Sequence, residues 1–417
     1  MTRQVTLAIV GAGGRGRGYA GWVAEHPDRA SVVAVADPTR AGWVAAEHGI
    51  EPDHVFRGWE ELASVPRLAD AVLICTQDEM HVEPALAFLA LGYDVLLEKP
   101  MAPTVEECRV VAAAAQASGQ IFAVCHVLRY TPYTKALKGM LDAGAIGEVM
   151  SIQHLERVGW FHQAHSFVRG NWRKESESSS MLLAKSCHDL DWLEYIVGRP
   201  IVAQASFGSL GHFRADQAPE GAALRCLECP LERTCAYSAT RIYLDRALAG
   251  EFGWPVDVLA SEVSVASVRE ALRDGPYGRC VYHCDNDVVD HQVVAMEFEG
   301  GATGTFTMTA FTELDHRMTH IFGSQGRIAG DGTTFSVLDF RTGIETGYDP
   351  LVMGGADAGS GHGGGDAGLM DAFVAAVAHQ DQALVSSDAA STLSSHGAVF
   401  AAERSRHARQ VVETPPL

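Results

Sequence analysis

The sequence predicts an α/β fold: an N-terminal doubly wound parallel sheet, then a second α/β domain. Three observations carry this. Short β-branched runs alternate with helical patterns over the first 125 residues, a glycine cluster directly follows the first run, and later segments alternate apolar and polar residues between turns. At 417 residues the chain exceeds what one hydrophobic core organises, so two domains are expected, 1–125 and 126–417.

Residues 5–10 form the first strand and run into Gly11-Ala12-Gly13-Gly14-Arg15-Gly16, a match to G-x-G-x-x-G. Gly11 serves the tight turn, and Gly13, with Gly14 and Arg15 in the same loop, lets backbone N–H groups approach a pyrophosphate. Gly16 permits close packing of helix on strand. A second strand, 32–36, ends in Asp37, 21 residues beyond Gly16. A carboxylate there accepts bonds from ribose hydroxyls and repels a 2′-phosphate, so NAD is expected over NADP, with Arg40 softening the preference.

The alternation continues with a strand at 71–75, a helix at 80–91 closed by Gly92, and a strand at 94–97. A capping box at Thr104-Val105-Glu106-Glu107 then opens a helix, and 121–125 is a further strand. A parallel sheet takes its ligand at the carboxyl ends of its strands, which singles out Thr76-Gln77-Asp78 and Glu98-Lys99-Pro100. Beyond these come a helix over 134–143, a strand over 148–157, and a meander over 289–299, 302–311 and 316–322.

Composition narrows the partners. The net charge of −20 repels phosphate backbones and anionic lipid, so neither nucleic acid nor membrane is expected. With 47% hydrophobic and 20% charged residues the chain is that of a packed protein. No apolar run approaches a membrane span and the start reads as strand and turn, so a cytoplasmic protein is expected. Nine cysteines suggest reduced thiols or a metal site.

The glycine motif, Ala36-Asp37-Pro38, Thr76 with His81 five residues on, and Glu98-Lys99-Pro100 together resemble the glucose-fructose oxidoreductase / inositol dehydrogenase family, Gfo/Idh/MocA. The resemblance is close over the first 130 residues and looser beyond. It implies a Rossmann domain, a second α/β domain with a large, mostly antiparallel sheet, a nicotinamide cofactor, and a sugar, glycoside or cyclitol substrate. It also implies a homo-oligomer, dimer or tetramer. Gly11, Gly13, Gly14, Arg15, Gly16, Asp37, Arg40, Thr76, His81, Glu98 and Lys99 are then the cofactor residues, Lys99 is also catalytic, and Pro100 is expected to be cis. An ammonium at a strand's carboxyl end suits this role, because it holds a hydroxyl and stabilises the alkoxide that precedes hydride loss.

The segment Met181-Leu182-Leu183-Ala184-Lys185-Ser186-Cys187-His188-Asp189-Leu190-Asp191-Trp192 follows. Read as one helix, it puts Lys185, His188 and Asp191 on one stripe. The resemblance identifies His188 as the family's histidine, while Ala184 stands where the family usually has aspartate. His188 is therefore expected to remove the hydroxyl proton, and Lys185 to hold a neighbouring hydroxyl or assist the transfer; a nearby ammonium keeps the imidazole neutral. Substrate contacts are expected from His126, Arg129, Trp160, His162, Arg169, Trp172, Asp191 and His362, since aromatic faces stack on sugars while polar groups address hydroxyls. Asp366 is expected to cap the helix after 358–366, with His362 free to close over substrate.

Within an insertion at about 212–285, Cys226, Cys229 and Cys235 give C-x2-C-x5-C, with Cys280, His283 and Cys284 farther on. These cysteines are either free thiols stabilising the insertion or a metal site, in which Cys226, Cys229, Cys235 and Cys284 would hold a structural zinc, an iron–sulfur cluster being less expected. Three functions fit these residues: an NAD-dependent dehydrogenase, an NAD-dependent glycosidase that oxidises transiently, eliminates, adds water and reduces again, and a non-catalytic sensor of NAD or sugar.

Overall fold

The computed structural model describes residues 3–260, 262–351 and 362–415. Its first sheet contains β1 (Val5–Val10), β2 (Ala30–Ala36), β3 (Val55–Phe56), β4 (Ala71–Ile74), β5 (Asp94–Leu97) and β6 (Phe122–Val124). All pairings are parallel, in the order β3-β2-β1-β4-β5-β6. The connecting helices are α1 (Gly14–Glu25), α2 (Ala41–His48), α3 (Trp59–Ala63), α4 (Val82–Ala90) and α5 (Val105–Ser118). Every residue of β4 and β5 is buried, as expected of strands covered on both faces. Strand order reverses between β1 and β4, which opens a crevice beyond their carboxyl ends. Thr104 caps α5 by accepting from Glu107 N–H, as expected.

The second half begins with α6 (Pro132–Asp142), β7 (Val149–Arg157) and α7 (Trp160–His162), which continues as a π-helical turn over Gln163–Arg169. Then come α8 (Met181–Ala184), α9 (Cys187–Val197), β8 (Ile201–Ser209), α10 (Asp245–Leu248) and α11 (Val265–Asp274). Strands β9 (His291–Phe298), β10 (Thr303–Thr309), β11 (Met318–Gly323), β12 (Gly326–Gly330), β13 (Phe335–Asp339) and β14 (Ile344–Tyr348) follow. The described chain ends with α12 (Gly365–His379), α13 (Ala389–Ala408) and β15 (Val412–Glu413).

These strands build a nine-stranded sheet in the order β14-β13-β12-β11-β7-β10-β9-β8-β15. Only β7 and β10 run parallel; the other pairings are antiparallel, giving the large, mostly antiparallel sheet expected. In β9, Gln292, Val294, Met296 and Phe298 point inward while the residues between them face out. The inner face shares a core with Leu190 and Leu193 of α9 and Ala398 and Val399 of α13.

The C-terminal helices return to the first sheet. Leu369, Met370, Phe373, Val374 and Val377 of α12 enter its core, and Phe400 of α13 touches the cores of both sheets. Residues 212–285 supply no strand to either sheet and gather a separate apolar cluster around Phe213, Ile242, Tyr243 and Leu272.

Two local expectations need correction. The segment 181–192 is not one helix: α8 stops at Ala184, α9 starts at Cys187, and the break turns Lys185 and Asp191 in different directions. Asp366 does not cap α12. Gly364, at φ +85°, is the cap residue, and Asp366 sits inside the first turn, where Arg15 and His362 bind its carboxylate. Residues 358–361 of the glycine-rich loop lie outside the described residues.

Candidate active site

The glycine loop is built as the motif requires. Gly11 has φ +93°, and a Cβ there would meet Cys75 O at 2.6 Å; one on Gly16 would meet Gly11 O at 2.1 Å. Over Gly13 and Gly14 the space is open, the nearest atom being Arg40 Nη1 at 4.0 Å from a Cβ on Gly13. No side chain caps α1 and its first turn holds no acid, so its N–H groups are left for an anion. Asp37 Oδ2 accepts from Ala12 N–H at 2.9 Å, and Oδ1 accepts from Thr39 and Arg40 N–H at 2.9 and 2.7 Å. Burial pushes this carboxyl up, but those hydrogen bonds outweigh it and hold the group below the usual range. The acid after β2 is thus ionised and anchored to the loop, and the chemistry of this donor set fits a dinucleotide.

At the end of β5, the Lys99–Pro100 bond is cis, as expected. Glu98 is buried and accepts from Arg15 Nε at 2.6 Å and Tyr19 OH at 2.7 Å. Arg15 Nη2 also reaches Asp366 at 2.6 Å, so this guanidinium joins β5 to α12. Thr76 lies at the end of β4, its hydroxyl donating to Met80 O at 3.0 Å. His81 departs from expectation. It is wholly buried between two strand ends, with Nδ1 2.6 Å from Pro100 O and Nε2 3.2 Å from Thr76 O, and a ring with one N–H braces the structure by donating to one of these carbonyls.

Lys99 Nζ donates to Ala184 O, which brings the ammonium against the α8–α9 break. His188, in the first turn of α9, is 5% exposed, and its Nδ1 has no hydrogen-bond partner. Its ring lies 5.7 Å from that of His126 and 6.0 Å from that of His362. Burial, then Lys99, then His126 and His362 push the imidazole well below its ordinary value. The nearby ammonium that disfavours the imidazolium is Lys99. Lys185 binds Glu156 Oε1 at 3.0 Å and lies within electrostatic reach of His162 and His362. Burial likewise pushes His162 well down, aided by Lys185, and the ring packs edge-on against Trp254 at 5.1 Å. Two ammonium groups and three neutral imidazoles thus converge beyond the ends of β4 and β5.

Behind this constellation lies a charged layer that the motifs do not announce. Glu156 of β7 is 1% exposed and receives Lys185 and, at 2.6 Å, Arg317; Arg317 also holds Asp189 at 2.9 Å, and His154 Nε2 lies 3.2 Å from Asp189. The available signal was β7 itself, where Ile152, His154 and Glu156 alternate onto the buried face. Trp254, in the insertion, was also missed; only its aromatic character in a turn marked it.

Several expected substrate residues are committed elsewhere. Arg129 and Asp191 bind each other bidentately, Nε to Oδ2 at 2.7 Å and Nη2 to Oδ1 at 2.6 Å, and both are buried. A guanidinium and a carboxylate so satisfied position α9 against the linker and do not meet ligand. Asp191→Ala leaves Arg129 buried without its counter-charge, so stability is expected to fall by about 3–5 kcal/mol, measured by urea unfolding of the variant. Arg169 sits inside the insertion's core, donating to Arg279 O and Tyr237 O at 2.8 Å. Trp160 packs edge-on against Phe161 and Tyr237. Trp172 is 37% exposed with Nε1 3.4 Å from Asp78, at the rim between the two halves. His126 is wholly buried, 3.6 Å from Asp191, and contacts the site through His188.

Buried neutral histidines make stability depend on pH. Burial pushes His165 down to about 4 and His396 down to about 3, whereas both titrate near 6.5 when unfolded. Below about pH 6.5 the unfolded chain therefore binds protons the folded chain refuses. Stability is fully present above that pH and falls with acidification, by up to about 1.4 kcal/mol per pH unit for each such histidine. Urea midpoints at pH 7 and pH 5 are expected to differ accordingly, and His396→Gln to flatten the difference.

The cysteine expectation also changes. Among the described residues, no three of the sulfurs of Cys226, Cys229, Cys235, Cys280 and Cys284 lie within 4.8 Å of one another. Cys284 is turned away, its thiol donating to Cys280 O at 3.3 Å.

Comparisons with known proteins agree with this architecture. Residues 5–126 match the family model described as oxidoreductase family, NAD-binding Rossmann fold, and residues 138–412 match the one described as oxidoreductase family, C-terminal alpha/beta domain. Inositol 2-dehydrogenase 2 of Saccharopolyspora erythraea is 30% identical over 48% of this chain and 55% of its own length. The 2,7-anhydro-N-acetylneuraminate hydratase of Mediterraneibacter gnavus is 28% identical over 50% of this chain and 54% of its own. The matched part is thus little more than half the length of these relatives. The solved structure of levoglucosan dehydrogenase in complex with NADH and levoglucosan superposes with a TM-score of 0.73 at 18% identity, covering 99% of this chain and 100% of that one.

Proposed function

Because this chain belongs to the Gfo/Idh/MocA oxidoreductase family, whose models match both of its halves, we propose that it oxidises a secondary hydroxyl of a sugar, glycoside or cyclitol with NAD. The observation that carries the reading is the meeting of Lys99 from the end of β5 with the neutral, unpartnered His188 at the α8–α9 break.

The glycine loop, the uncapped start of α1 and Asp37 would hold the dinucleotide, and a bound nicotinamide would supply the hydride acceptor. Lys99 orients the substrate oxygen and stabilises negative charge growing on it. His188 takes the hydroxyl proton; its lowered basicity keeps it in the accepting form at neutral pH. Lys185, steadied by Glu156, addresses a neighbouring hydroxyl, with His162 and His362 beside it. Trp172 at the rim and Trp254 beside His162 offer the aromatic surface on which sugar C–H faces stack. Asp37 makes NADP the less favoured cofactor by repelling a 2′-phosphate, and Arg40 beside the glycine loop softens that preference.

The same reading takes 1–125 as the cofactor domain and 126–417 as the substrate and oligomerisation domain, in a cytoplasmic homo-oligomer. Among the described residues no helix is long and apolar enough to cross a membrane. A structural zinc in the insertion stands apart from this chemistry, since hydride transfer does not require it.

A second reading, transient oxidation followed by elimination, water addition and re-reduction, is favoured by the likeness to a hydratase. Incubating the protein with NAD and a panel of cyclitols, sugars and glycosides, while following NADH and released sugar together, separates the readings. NADH accumulating with substrate supports the dehydrogenase, and free sugar without net NADH supports the second reading. NAD binding with no conversion across the panel marks a sensor and overturns both.

A further inference from the structure

Five of the nine cysteines lie in the insertion between β8 and β9, and none of them is in a disulfide. Local backbone bonds gather four of these five. Cys229 N–H donates to Cys226 O at 3.2 Å, closing a tight C-x-x-C turn, and Cys235 N–H donates to Leu231 O at 2.9 Å, folding the next stretch back. Opposite, Arg225 and Arg279 form an antiparallel bridge and Cys280 N–H donates to Leu224 O at 2.9 Å, which sets Cys280 beside Cys226. Arg169 ties the two sides together, Nη2 donating to Tyr237 O, two residues beyond Cys235, and Nε to Arg279 O, next to Cys280.

A second observation comes from Arg169, the largest fully buried side chain, at 1% exposure. Its Nε and Nη2 donate to backbone carbonyls, Nη2 stands 3.6 Å from Cys226 Sγ, and Nη1 has no partner. Among the described residues no carboxylate pairs with it, and the Cys226 sulfur is the side-chain atom it touches. A buried guanidinium without counter-charge is unfavourable. A neutral thiol does not supply one, whereas a metal-bound thiolate does.

We infer that Cys226, Cys229, Cys235 and Cys280 bind one structural Zn²⁺, with the Arg169 guanidinium as its buried counter-ion. On binding, four thiols release four protons and the tetrathiolate centre carries a net charge of −2, which Arg169 partly offsets. Zinc–sulfur bonds of about 2.3 Å put tetrahedral sulfurs about 3.8 Å apart, closer than the free thiols now stand as a set. The tight turn at 226–229 and the loop to Cys235 carry three ligands on short segments, so that contraction needs no movement of either sheet. Cys280 is the fourth ligand because the Arg225–Arg279 bridge and the Cys280 N–H bond to Leu224 O set it opposite Cys226, whose thiol donates to Arg279 O at 3.8 Å.

The test is elemental analysis of full-length protein purified without a histidine tag or chelator. About one zinc per chain is expected, lost in Cys229→Ser and Cys280→Ser and kept in Cys284→Ser. Arg169→Gln is expected to release zinc to a chromophoric chelator at about 10- to 100-fold lower affinity competition. Should the cysteine variants not fold, cobalt added to chelator-stripped wild-type protein is expected to give a thiolate-to-cobalt charge-transfer band. Three results would overturn the inference: no zinc above background and no such band, zinc lost with Cys284 but kept without Cys280, or iron with acid-labile sulfide in place of zinc. The outcome is independent of the hydride-transfer reading, because metal content is read without substrate and NADH production without metal analysis.

Discussion

His188→Ala is expected to lower kcat by about 10²- to 10⁴-fold, the usual contribution of a positioned general base, while NADH affinity measured by fluorescence titration stays near the wild-type value. The imidazole touches the reacting region but neither the glycine loop nor Asp37, so cofactor binding has no reason to change. A pH profile separates this role from a packing role. Burial and Lys99 hold His188 well below its ordinary value, so the accepting form persists as pH falls through about 6.5. The acid limb of kcat/KM in the wild-type enzyme is therefore expected below that value, and the variant's residual rate should lack that limb. An acid limb at or above 6.5, or full activity of the variant, would remove His188 from the reaction.

Lys99→Ala is expected to cost about 10²- to 10³-fold in kcat, because it deletes the one cation aimed at the developing alkoxide from the cofactor side. Removal of this ammonium also lifts a repulsion from His188, so the acid limb should move up in the variant relative to the wild type. Lys99→Arg is not expected to restore activity, since a planar fork cannot take the place of a compact ammonium bonded to Ala184 O. Steady-state rates at saturating NAD and substrate check both variants. Unchanged kcat in Lys99→Ala would make the lysine a prop for the α8–α9 break.

Much of the cofactor half was legible because its constraints are local. A strand, a tight glycine turn and a helix start act within a dozen residues, and Gly11 and Gly16 are needed where they stand because a Cβ at either would strike backbone. The break between Ala184 and Cys187 was not legible, since both halves have helical composition and only the pull of Lys185 to Glu156 and Asp191 to Arg129 separates them. Arg129, Arg169 and Asp191 have the side chains of substrate ligands, yet each found its partner inside the protein. His81 kept the spacing of its motif and still became a brace.

Taken alone, the order of residues determined the α/β character and the parallel sheet with its dinucleotide loop. These follow from periodicity, glycine sterics and short motifs, which depend on neighbours along the chain. Tertiary structure decided which charges face substrate and which face each other. It also decided that Glu156 and Arg317 stand behind Lys185. The reason is physical: a polar side chain's role depends on which other polar groups are buried within hydrogen-bond reach of it, and those groups arrive from strands and helices more than a hundred residues away.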